Sequence, residues 1–274
     1  MLKASFLPED SEKWTVDGGT VRAAGRVHFV YFMGRPALQR SDNPQRTVNT
    51  LVFDLDGTLL DTRQGIMNAF RYALQQLGHA DKARELQPES VIGPSLRATF
   101  GQLLSASDTE DRVETAVIEF RRYYLDQGIY QYQAYPHISN ILRTLRQRGY
   151  RLILATAKPQ AQAELLLAHS GLKVHFQNVY GSQPDGRLSD KRQLLYKIIK
   201  NHQLEARHCW MIGDHHLDIR AGRHHGMKTL AVSWGFDHFE PLRRADSHEL
   251  IHQPAALLRL FPVSAQAWSR FVAH

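Results

Sequence analysis

The stretch Leu51-Val52-Phe53-Asp54-Leu55-Asp56-Gly57-Thr58-Leu59-Leu60-Asp61 decides the fold, because it joins an apolar run to a turn rich in acids. The apolar run that precedes Asp54 is typical of a buried strand in a parallel sheet. Residues i and i+2 of an extended backbone point to the same side, so Asp54 and Asp56 can face one reacting group. Gly57 lets the chain turn away sharply, and Thr58 adds a hydroxyl donor.

Two carboxylates this close repel each other, so their placement calls for a compensating positive charge. Mg²⁺ takes oxygen ligands and is typically held by one or two carboxylates together with substrate phosphate oxygens. A carboxylate can also attack phosphorus and form an aspartyl-phosphate. The alternative is a strand-end turn with solvated acids, and Asp-x-Asp-Gly alone does not separate these interpretations.

The composition is that of an ordinary globular protein, with 43% hydrophobic and 22% charged residues among 274. No apolar run approaches the roughly 20 residues that span a bilayer, so we expect no membrane partner. The net charge of +7 suits an anionic partner, such as a phosphorylated metabolite. The basic residues are scattered without interleaved aromatics, so we expect no nucleic acid. No secretory signal is recognised and Cys209 is the single cysteine, which predicts a cytoplasmic location.

Changes in periodicity divide the chain into parts. Residues 1–47 are polar and rich in glycine and charge, and we expect an N-terminal extension that is not essential for catalysis. A small hairpin, a disordered tail and sequence upstream of the natural start remain open for it. Residues 62–132 carry helical apolar stripes without a convincing strand, which predicts an inserted all-helical domain. Residues 48–61 and 133–262 alternate strands with helices and form the core, and 263–274 are a tail.

Strands that alternate with helices favour a parallel sheet with helices on both faces. The predicted strands cover 50–54, 151–155, 175–180, 208–212 and 229–233. The predicted helices cover 62–77, 95–104, a segment from 108, 138–147, 159–170, 190–201, 217–225 and 255–260.

Polar residues occupy the predicted strand ends, where the site of such a sheet lies. After the acid pair they are Thr156-Ala157-Lys158, then Ser189-Asp190-Lys191, and finally Gly213-Asp214-His215-His216-Leu217-Asp218. A hydroxyl just before a helix suits a phosphate oxygen, and a lysine adds compact positive charge. A plain helix cap and a solvated lysine are the alternatives. Four histidines (His215, His216, His224 and His225) leave a transition-metal site as a further alternative.

Taken together, these motifs resemble the haloacid dehalogenase (HAD) superfamily from about Thr50 to Leu260. The helical insert resembles the C1 cap of the phosphoglycolate phosphatase-like branch, which also contains 5′-nucleotidase-like members. The supporting phrases are Gly65-Ile66, Ile92-Gly93-Pro94, Thr156-x-Lys158-Pro159, Gly181-Ser182, Asp185-Gly186 and Ser233-Trp234-Gly235. The expected fold class is α/β, a Rossmann-like doubly wound parallel sheet with an inserted helical cap. Many relatives place their conserved lysine in Lys-Pro-x-Pro, so Lys191 in Asp190-Lys191-Arg192 is a departure, and Lys158 is a second candidate.

The resemblance implies a Mg²⁺-dependent phosphatase that forms an aspartyl-phosphate on Asp54. Asp56 would be the general acid and then the base, while Thr156 and Lys191 would hold the phosphoryl oxygens. The implied metal ligands are Asp54, Asp214 and the backbone carbonyl of Asp56, with Asp218 holding a ligand water or orienting Lys191. Expected substrate contacts are Gly57, Thr58, Ala157, Lys158 and, for a substrate carboxylate, Arg97.

The expected substrate is a small phosphorylated metabolite, most simply 2-phosphoglycolate, with a nucleoside 5′-monophosphate as the alternative. Aromatic residues near the end of the insert could stack on a base, although hinge packing explains them as well; these are Tyr130, Tyr132, Tyr135 and His137. A non-catalytic phosphate-binding protein is a remote alternative, because both Asp54 and Asp214 are present. We expect a monomer or a homodimer.

Overall fold

The computed structural model of the protein describes residues 15–17, 20–23, 26–29, 50–92, 95–104 and 109–263. The chain divides into two compact units, Met1–Asn43 and Pro44–His274. In the first unit, β1 (Thr15–Asp17), β2 (Thr20–Ala23) and β3 (Arg26–Phe29) form an antiparallel sheet in that order. For these residues, the structure is closest to the hairpin interpretation of the N-terminal segment.

The second unit contains a six-stranded parallel sheet and a short antiparallel pair of strands. The strands are β4 (Thr50–Phe53), β5 (Leu60–Asp61), β6 (Gln133–Ala134), β7 (Arg151–Pro159), β8 (Asn178–Ser182), β9 (Cys209–Gly213), β10 (Lys228–Val232) and β11 (Glu249–Ile251). The strand order in the parallel sheet is β11-β10-β9-β4-β7-β8, and β5 pairs with β6. The helices are α1 (Arg63–Gln76), α2 (Ala80–Glu85), α3 (Leu96–Leu103), α4 (Glu110–Asp126), α5 (Ile138–Gln147), α6 (Gln160–His169), α7 (Lys191–His202), α8 (His216–His224), α9 (Phe239–Arg244) and α10 (Leu257–Leu260).

The central strand β4 is covered on both faces. Leu51 and Phe53 pack in one hydrophobic cluster with residues of α5, whereas Val52 packs in another with residues of α7. This alternation follows from the two-residue period of a strand, and all three side chains are fully buried. Burial on both faces explains the continuous apolar run and confirms the doubly wound α/β fold.

Several predicted boundaries are wrong by a few residues. Strand β7 runs to Pro159 because it resumes pairing with β8 after an irregularity between Ala155 and Pro159, so α6 begins at Gln160. Strand β8 begins only at Asn178, since Lys173–His175 form a 3₁₀ turn. The short elements α2, α9, β11 and the pair β5–β6 were not predicted from the sequence.

The insert after β5 is helical, and α1, α3 and α4 pack around three phenylalanines. The ring centroids of Phe70 and Phe100 are 4.9 Å apart, and those of Phe70 and Phe120 are 4.7 Å apart. The predicted stripes are therefore buried, and they belong to the same hydrophobic cluster as Leu51 and Phe53 of β4. Asp108, where the last cap helix was predicted to begin, lies outside the described residues, and α4 begins at Glu110.

A short antiparallel pair joins the insert to the sheet. Leu60 pairs with Ala134 and Asp61 with Gln133, so the chain leaves and returns at the same place. The N–H of Gly65 also donates to the carbonyl of Gln131 at 3.1 Å. Among the described residues, no helix is both long enough and apolar enough to cross a bilayer.

Candidate active site

The acid pair lies where β4 ends, at the carboxyl edge of the sheet. Asp54 is 8% exposed, and its N–H donates to the carbonyl of Ile212 at 2.9 Å, so the neighbouring strand fixes its backbone. Gly57 follows with φ +80°, a conformation that favours glycine. A Cβ at this position would lie 2.1 Å from Asp214 Oδ2. The turn therefore requires glycine for its backbone conformation and for the close approach of Asp214.

Lys191 binds the nucleophile candidate directly. Its Nζ lies 2.7 Å from Asp54 Oδ1 and 2.8 Å from Asp218 Oδ1, and it donates to the carbonyl of Ala155 at 2.8 Å. A lysine ammonium has three N–H donors, so these contacts use all of them. In the described part of the chain, no hydrogen bond reaches Asp54 Oδ2, which leaves this oxygen free.

Asp214 is held beside the acid pair by two donors. The Thr58 hydroxyl donates to its Oδ1 at 2.7 Å, and the Phe236 N–H donates to its Oδ2 at 2.8 Å. Thr58 was predicted to contact the substrate, but its buried hydroxyl is directed to Asp214 instead. The predicted role in binding therefore remains untested, and the geometry assigns Thr58 to the support of Asp214.

Three buried carboxylates fit a divalent cation. One oxygen each of Asp54, Asp214 and Asp218 lies within 4.8 Å of the others. Hard carboxylate oxygens are the ligands that Mg²⁺ prefers. Both oxygens of Asp218 have partners, as do those of Asp214. Asp218 differs because the partner of its Oδ1 is the Lys191 ammonium, a cation that competes with a metal ion, while the N–H of His215 donates to its Oδ2 at 3.3 Å. This arrangement favours the orienting role for Asp218 over direct ligation.

Burial perturbs the acidity of this cluster. It raises the pKa of Asp54 to about 6, against the opposing charge of Lys191. Burial and the neighbouring Asp54 also raise the pKa of Asp214 well above its usual range. Burial disfavours the charge of Lys191, but Asp218 and Asp54 outweigh it and raise the pKa of this lysine. The cluster therefore holds more carboxylate charge than one lysine offsets, which suits a bound cation.

The second acid, Asp56, is held through both of its oxygens. The Thr62 hydroxyl donates to Oδ1 at 2.7 Å, and Lys158 Nζ lies 3.2 Å from Oδ2. Each candidate lysine thus binds a different acid: Lys191 binds Asp54, and Lys158 binds Asp56. Thr156 is 2% exposed near them, and its hydroxyl oxygen accepts from the N–H of Lys158 at 3.2 Å.

A cavity of about 760 Å³ opens over these groups. Its polar lining combines most of the predicted site residues, namely Asp54, Asp56, Thr156, Ala157, Lys158, Lys191, Asp214 and Asp218. Its apolar lining comes from Ile66 and Ile92 of the insert and from Leu217 and Phe236 of the core. This apolar part was not predicted from the sequence, because ordinary hydrophobic residues carry no motif.

The structure does not bring Arg97 to this cavity. Its guanidinium lies 2.6 Å from Glu114 Oε1, and its side chain is 64% exposed. The aromatic residues near the return of the insert also have other partners. Tyr132 and Tyr130 pack against His169, and Tyr135 packs near Trp234. Their positions agree with hinge packing rather than with stacking on a substrate base.

The histidines that follow Asp214 have protein partners. His216 Nδ1 lies 2.7 Å from Asp237 Oδ2, which also accepts the His216 N–H at 2.8 Å. His215 Nδ1 accepts the N–H of Leu217 at 3.2 Å and caps α8. Ordinary hydrogen bonds therefore account for this cluster, and a transition metal is not needed to explain it.

Two residues near the acid pair were not predicted as part of the site. Thr62 begins the predicted helix 62–77, but its hydroxyl binds Asp56 and makes no capping bond. Tyr124 falls on one of the apolar stripes that helical periodicity predicts within residues 62–132, but its hydroxyl oxygen accepts a hydrogen bond from Lys158 at 2.9 Å. A hydroxyl within a helical stripe is the signal that could have identified Tyr124.

Comparisons with known proteins identify the family of this chain. The family model of haloacid dehalogenase-like hydrolases matches residues 51–232. A 5′-nucleotidase of Pseudomonas aeruginosa is 34% identical over 77% of this chain and 92% of its own length. A phosphoglycolate phosphatase of Vibrio parahaemolyticus is 28% identical over 81% of this chain and 99% of its own.

A solved structure shows the same fold. A haloacid dehalogenase-like family hydrolase from Streptococcus pneumoniae superposes with a TM-score of 0.70 at 30% identity, covering 78% of this chain and 99% of that protein. The family match includes more than half of the chain, and it begins at the strand that carries the acid pair. The chain therefore belongs to the haloacid dehalogenase-like hydrolases, as a phosphatase of the phosphoglycolate phosphatase-like branch.

Proposed function

We propose that this phosphatase hydrolyses a small phosphomonoester in a Mg²⁺-dependent reaction, with Asp54 as the nucleophile. One observation carries the proposal: Lys191 binds one oxygen of Asp54, the other accepts no hydrogen bond from the described residues, and Asp54 shares a cavity with Asp56. A fixed carboxylate beside a second carboxylate is the arrangement that a covalent phosphoryl transfer requires.

The proposed reaction has two steps, and Asp54 and Asp56 act in both. In the first, the free oxygen of Asp54 attacks phosphorus, the bond from phosphorus to the ester oxygen breaks, and Asp56 gives its proton to the leaving alkoxide. In the second, Asp56 takes a proton from water, whose oxygen attacks phosphorus and releases orthophosphate from Asp54. Thr156 and the third N–H of the Lys158 ammonium, for which the described residues supply no acceptor, are the groups proposed to hold phosphoryl oxygens.

Asp54 and Asp214 are the proposed protein ligands of the cation, with the backbone carbonyl of Asp56. When bound, Mg²⁺ neutralises charge on the phosphoryl group and on the carboxylates around it. Lys191 then keeps Asp54 in place. Three protein acceptors use all the N–H donors of Lys191. Lys191 could therefore contact a phosphoryl oxygen only if it gave up one of these hydrogen bonds.

Among the substrates considered, a nucleoside 5′-monophosphate is favoured over 2-phosphoglycolate. The cavity volume lies within the range of roughly 300–1,000 Å³ that accommodates drug-sized ligands, far more than a two-carbon acid needs. Its apolar residues suit the face of a base, whereas Arg97, the expected partner of a carboxylate, is paired elsewhere. The relative from P. aeruginosa carries the name 5′-nucleotidase. Such metabolites also fit the proposed cytoplasmic location.

Phosphate release from a panel of compounds tests both the proposed reaction and the proposed substrate class. The panel contains nucleoside 5′-monophosphates, 2-phosphoglycolate, sugar phosphates and pyrophosphate, each with Mg²⁺ and with EDTA. Mg²⁺-dependent release with the highest kcat/KM for a nucleoside monophosphate is the expected result. A preference for 2-phosphoglycolate would overturn the substrate class alone. A folded protein that releases no phosphate from any compound would overturn the proposed reaction.

A further inference from the structure

Tyr124 connects the helical insert to the acid–base side of the site. It lies in α4, is 3% exposed, and its hydroxyl oxygen accepts from Lys158 Nζ at 2.9 Å. The same ammonium lies 4.8 Å from the centroid of the Tyr124 ring, within the range of a weak cation–π attraction. Lys158 in turn lies 3.2 Å from Asp56 Oδ2. A residue of the insert therefore reaches Asp56 through a single lysine.

The ring of Tyr124 is fixed by the insert itself. It stacks on Phe120 with 5.8 Å between centroids and 9° between planes, and Phe120 belongs to the phenylalanine core. Burial raises the pKa of Tyr124 above its ordinary value, against the opposing charge of Lys158, so the hydroxyl stays neutral. The position of Lys158 Nζ thus depends on the position of α4.

Lys158 differs from Lys191 in having an N–H donor without an acceptor among the described residues. Tyr124 and Asp56 use two of its three N–H donors, and the described residues supply no acceptor for the third. Its side chain is 7% exposed and lines the cavity. An ammonium held by two fixed oxygens with one donor left over can present that donor to an oxygen of the substrate.

We propose that Tyr124 is a positioning residue, which holds the Lys158 ammonium beside Asp56 and so makes the reactive geometry depend on the insert. This inference rests on the proposed phosphatase reaction. Small displacements of a group that contacts the reacting atoms reduce turnover strongly, while binding of the remainder of the substrate is preserved. Loss of the Tyr124 hydroxyl is therefore expected to reduce kcat rather than to raise KM.

A double-mutant cycle with Tyr124→Phe and Lys158→Met tests this role. On the best substrate of the panel, Tyr124→Phe should reduce kcat about tenfold with KM changed by less than about twofold. In the Lys158→Met background, the same change should have no further effect. Tyr123→Phe is the matched control, because it removes a hydroxyl from the adjacent residue of α4 that contacts Gln131 instead. Single-turnover phosphate release keeps slow variants measurable, and thermal unfolding verifies that each variant is folded.

The other outcomes overturn the inference in distinguishable ways. If Tyr124→Phe reduces kcat equally in both backgrounds, Tyr124 does not act through Lys158. If it only raises KM, Tyr124 contributes to substrate binding rather than to positioning. If it behaves like Tyr123→Phe, the hydroxyl has no role in turnover. In all three cases the wild-type protein is active, whereas an inactive wild type overturns the proposed function itself.

Discussion

Lys191 Nζ lies 2.7 Å from Asp54 Oδ1, and two further acceptors complete its hydrogen bonding. The lysine is thus a fixed counter-charge, whose removal would leave Asp54 and Asp218 buried without their partner. Breaking a buried ion pair in this way typically costs about 3–5 kcal/mol. The lysine therefore contributes to the stability of the site as well as to its proposed chemistry.

Substitution of Lys191 by Met is expected to reduce kcat/KM by about 10³-fold or more, because Asp54 loses its fixed orientation. The free energy of unfolding should fall by about 3 kcal/mol near pH 7.5, measured by urea unfolding. Lys200→Met, at an exposed position of the same helix, is the control and should change neither quantity appreciably. Near-wild-type kcat/KM for the Lys191 variant would show that Lys191 is not the essential lysine and would leave Lys158 as the remaining candidate.

Asp54→Asn should reduce kcat at least about 10³-fold, because an amide is a poor nucleophile. The asparagine side chain has nearly the size of aspartate, so packing should be preserved. The thermal unfolding midpoint should not fall, since the substitution removes a buried carboxylate whose pKa is raised. Phosphate release and mass spectrometry, which excludes deamidation, are the measurements. Asp246→Asn, at an exposed position, is the control. Turnover by the intact Asn variant would contradict a nucleophilic role.

The raised pKa values of Asp54 and Asp214 predict a pH-dependent effect of Mg²⁺ on stability. The pKa of Asp54 is about 6 in the folded protein, and aspartate in an unfolded chain has a pKa of about 3.9. Between these values the folded state binds more protons than the unfolded state, so Asp54 makes the metal-free protein less stable as pH rises through this window. Mg²⁺ binds the ionised carboxylates, and its stabilisation should therefore grow from about pH 5 to pH 7.5.

Thermal unfolding in EDTA and in excess Mg²⁺ over this range measures that difference. Comparison at each pH cancels the titration of groups far from the site. Asp214→Asn, which removes a proposed ligand, should abolish most of the shift. A Mg²⁺ shift of equal size at every pH would contradict cation binding by these carboxylates.

The sequence predicted those features that depend on local chemistry. Two strand ends of the site were predicted, one from the apolar run before Asp54 and one from the acid at Asp214. The alternation of strands and helices predicted a parallel sheet. The helix Ile138–Gln147 was predicted with the bounds that the structure has. Such features are readable because period, turn residues and strand-end acids are encoded within a few positions.

Contacts between distant segments could not be predicted in this way. Helical periodicity placed Tyr124 on a buried stripe, but the acceptor role of its hydroxyl depends on Lys158, which lies 34 residues further along the chain. Arg97 had the charge to bind a carboxylate, and only the fold shows that Glu114 is beside it. The pair β5–β6 consists of two residues on each side, too few for any period to appear.

The pairing of Arg97 with Glu114 leads to a prediction opposite to the first expectation. Arg97→Ala should leave kcat/KM within about twofold of wild type, since exposed ion pairs contribute little and the side chain does not line the cavity. The measurement is kcat/KM for 2-phosphoglycolate and for a nucleoside monophosphate. A selective loss with 2-phosphoglycolate would mean that the insert moves to bring Arg97 to the substrate.

Gly57 and Gly78 separate backbone strain from steric contact at the site. Both have a positive φ, +80° and +83°, so alanine is strained by about 1–2 kcal/mol at either position. A Cβ at Gly78 meets no atom within 4 Å, whereas one at Gly57 would lie 2.1 Å from Asp214 Oδ2. Gly78→Ala should therefore be slightly destabilised and fully active.

Gly57→Ala should lose about 100-fold or more in kcat/KM, because Asp214 must move away from Asp54. It should also require more Mg²⁺ for half-maximal activity, since the two proposed ligands no longer meet. Phosphate release at a series of Mg²⁺ concentrations, together with urea unfolding of both variants, measures these effects. Equal losses of activity in the two alanine variants would indicate that strain alone is responsible, and the close contact between Gly57 and Asp214 would then have no part in catalysis.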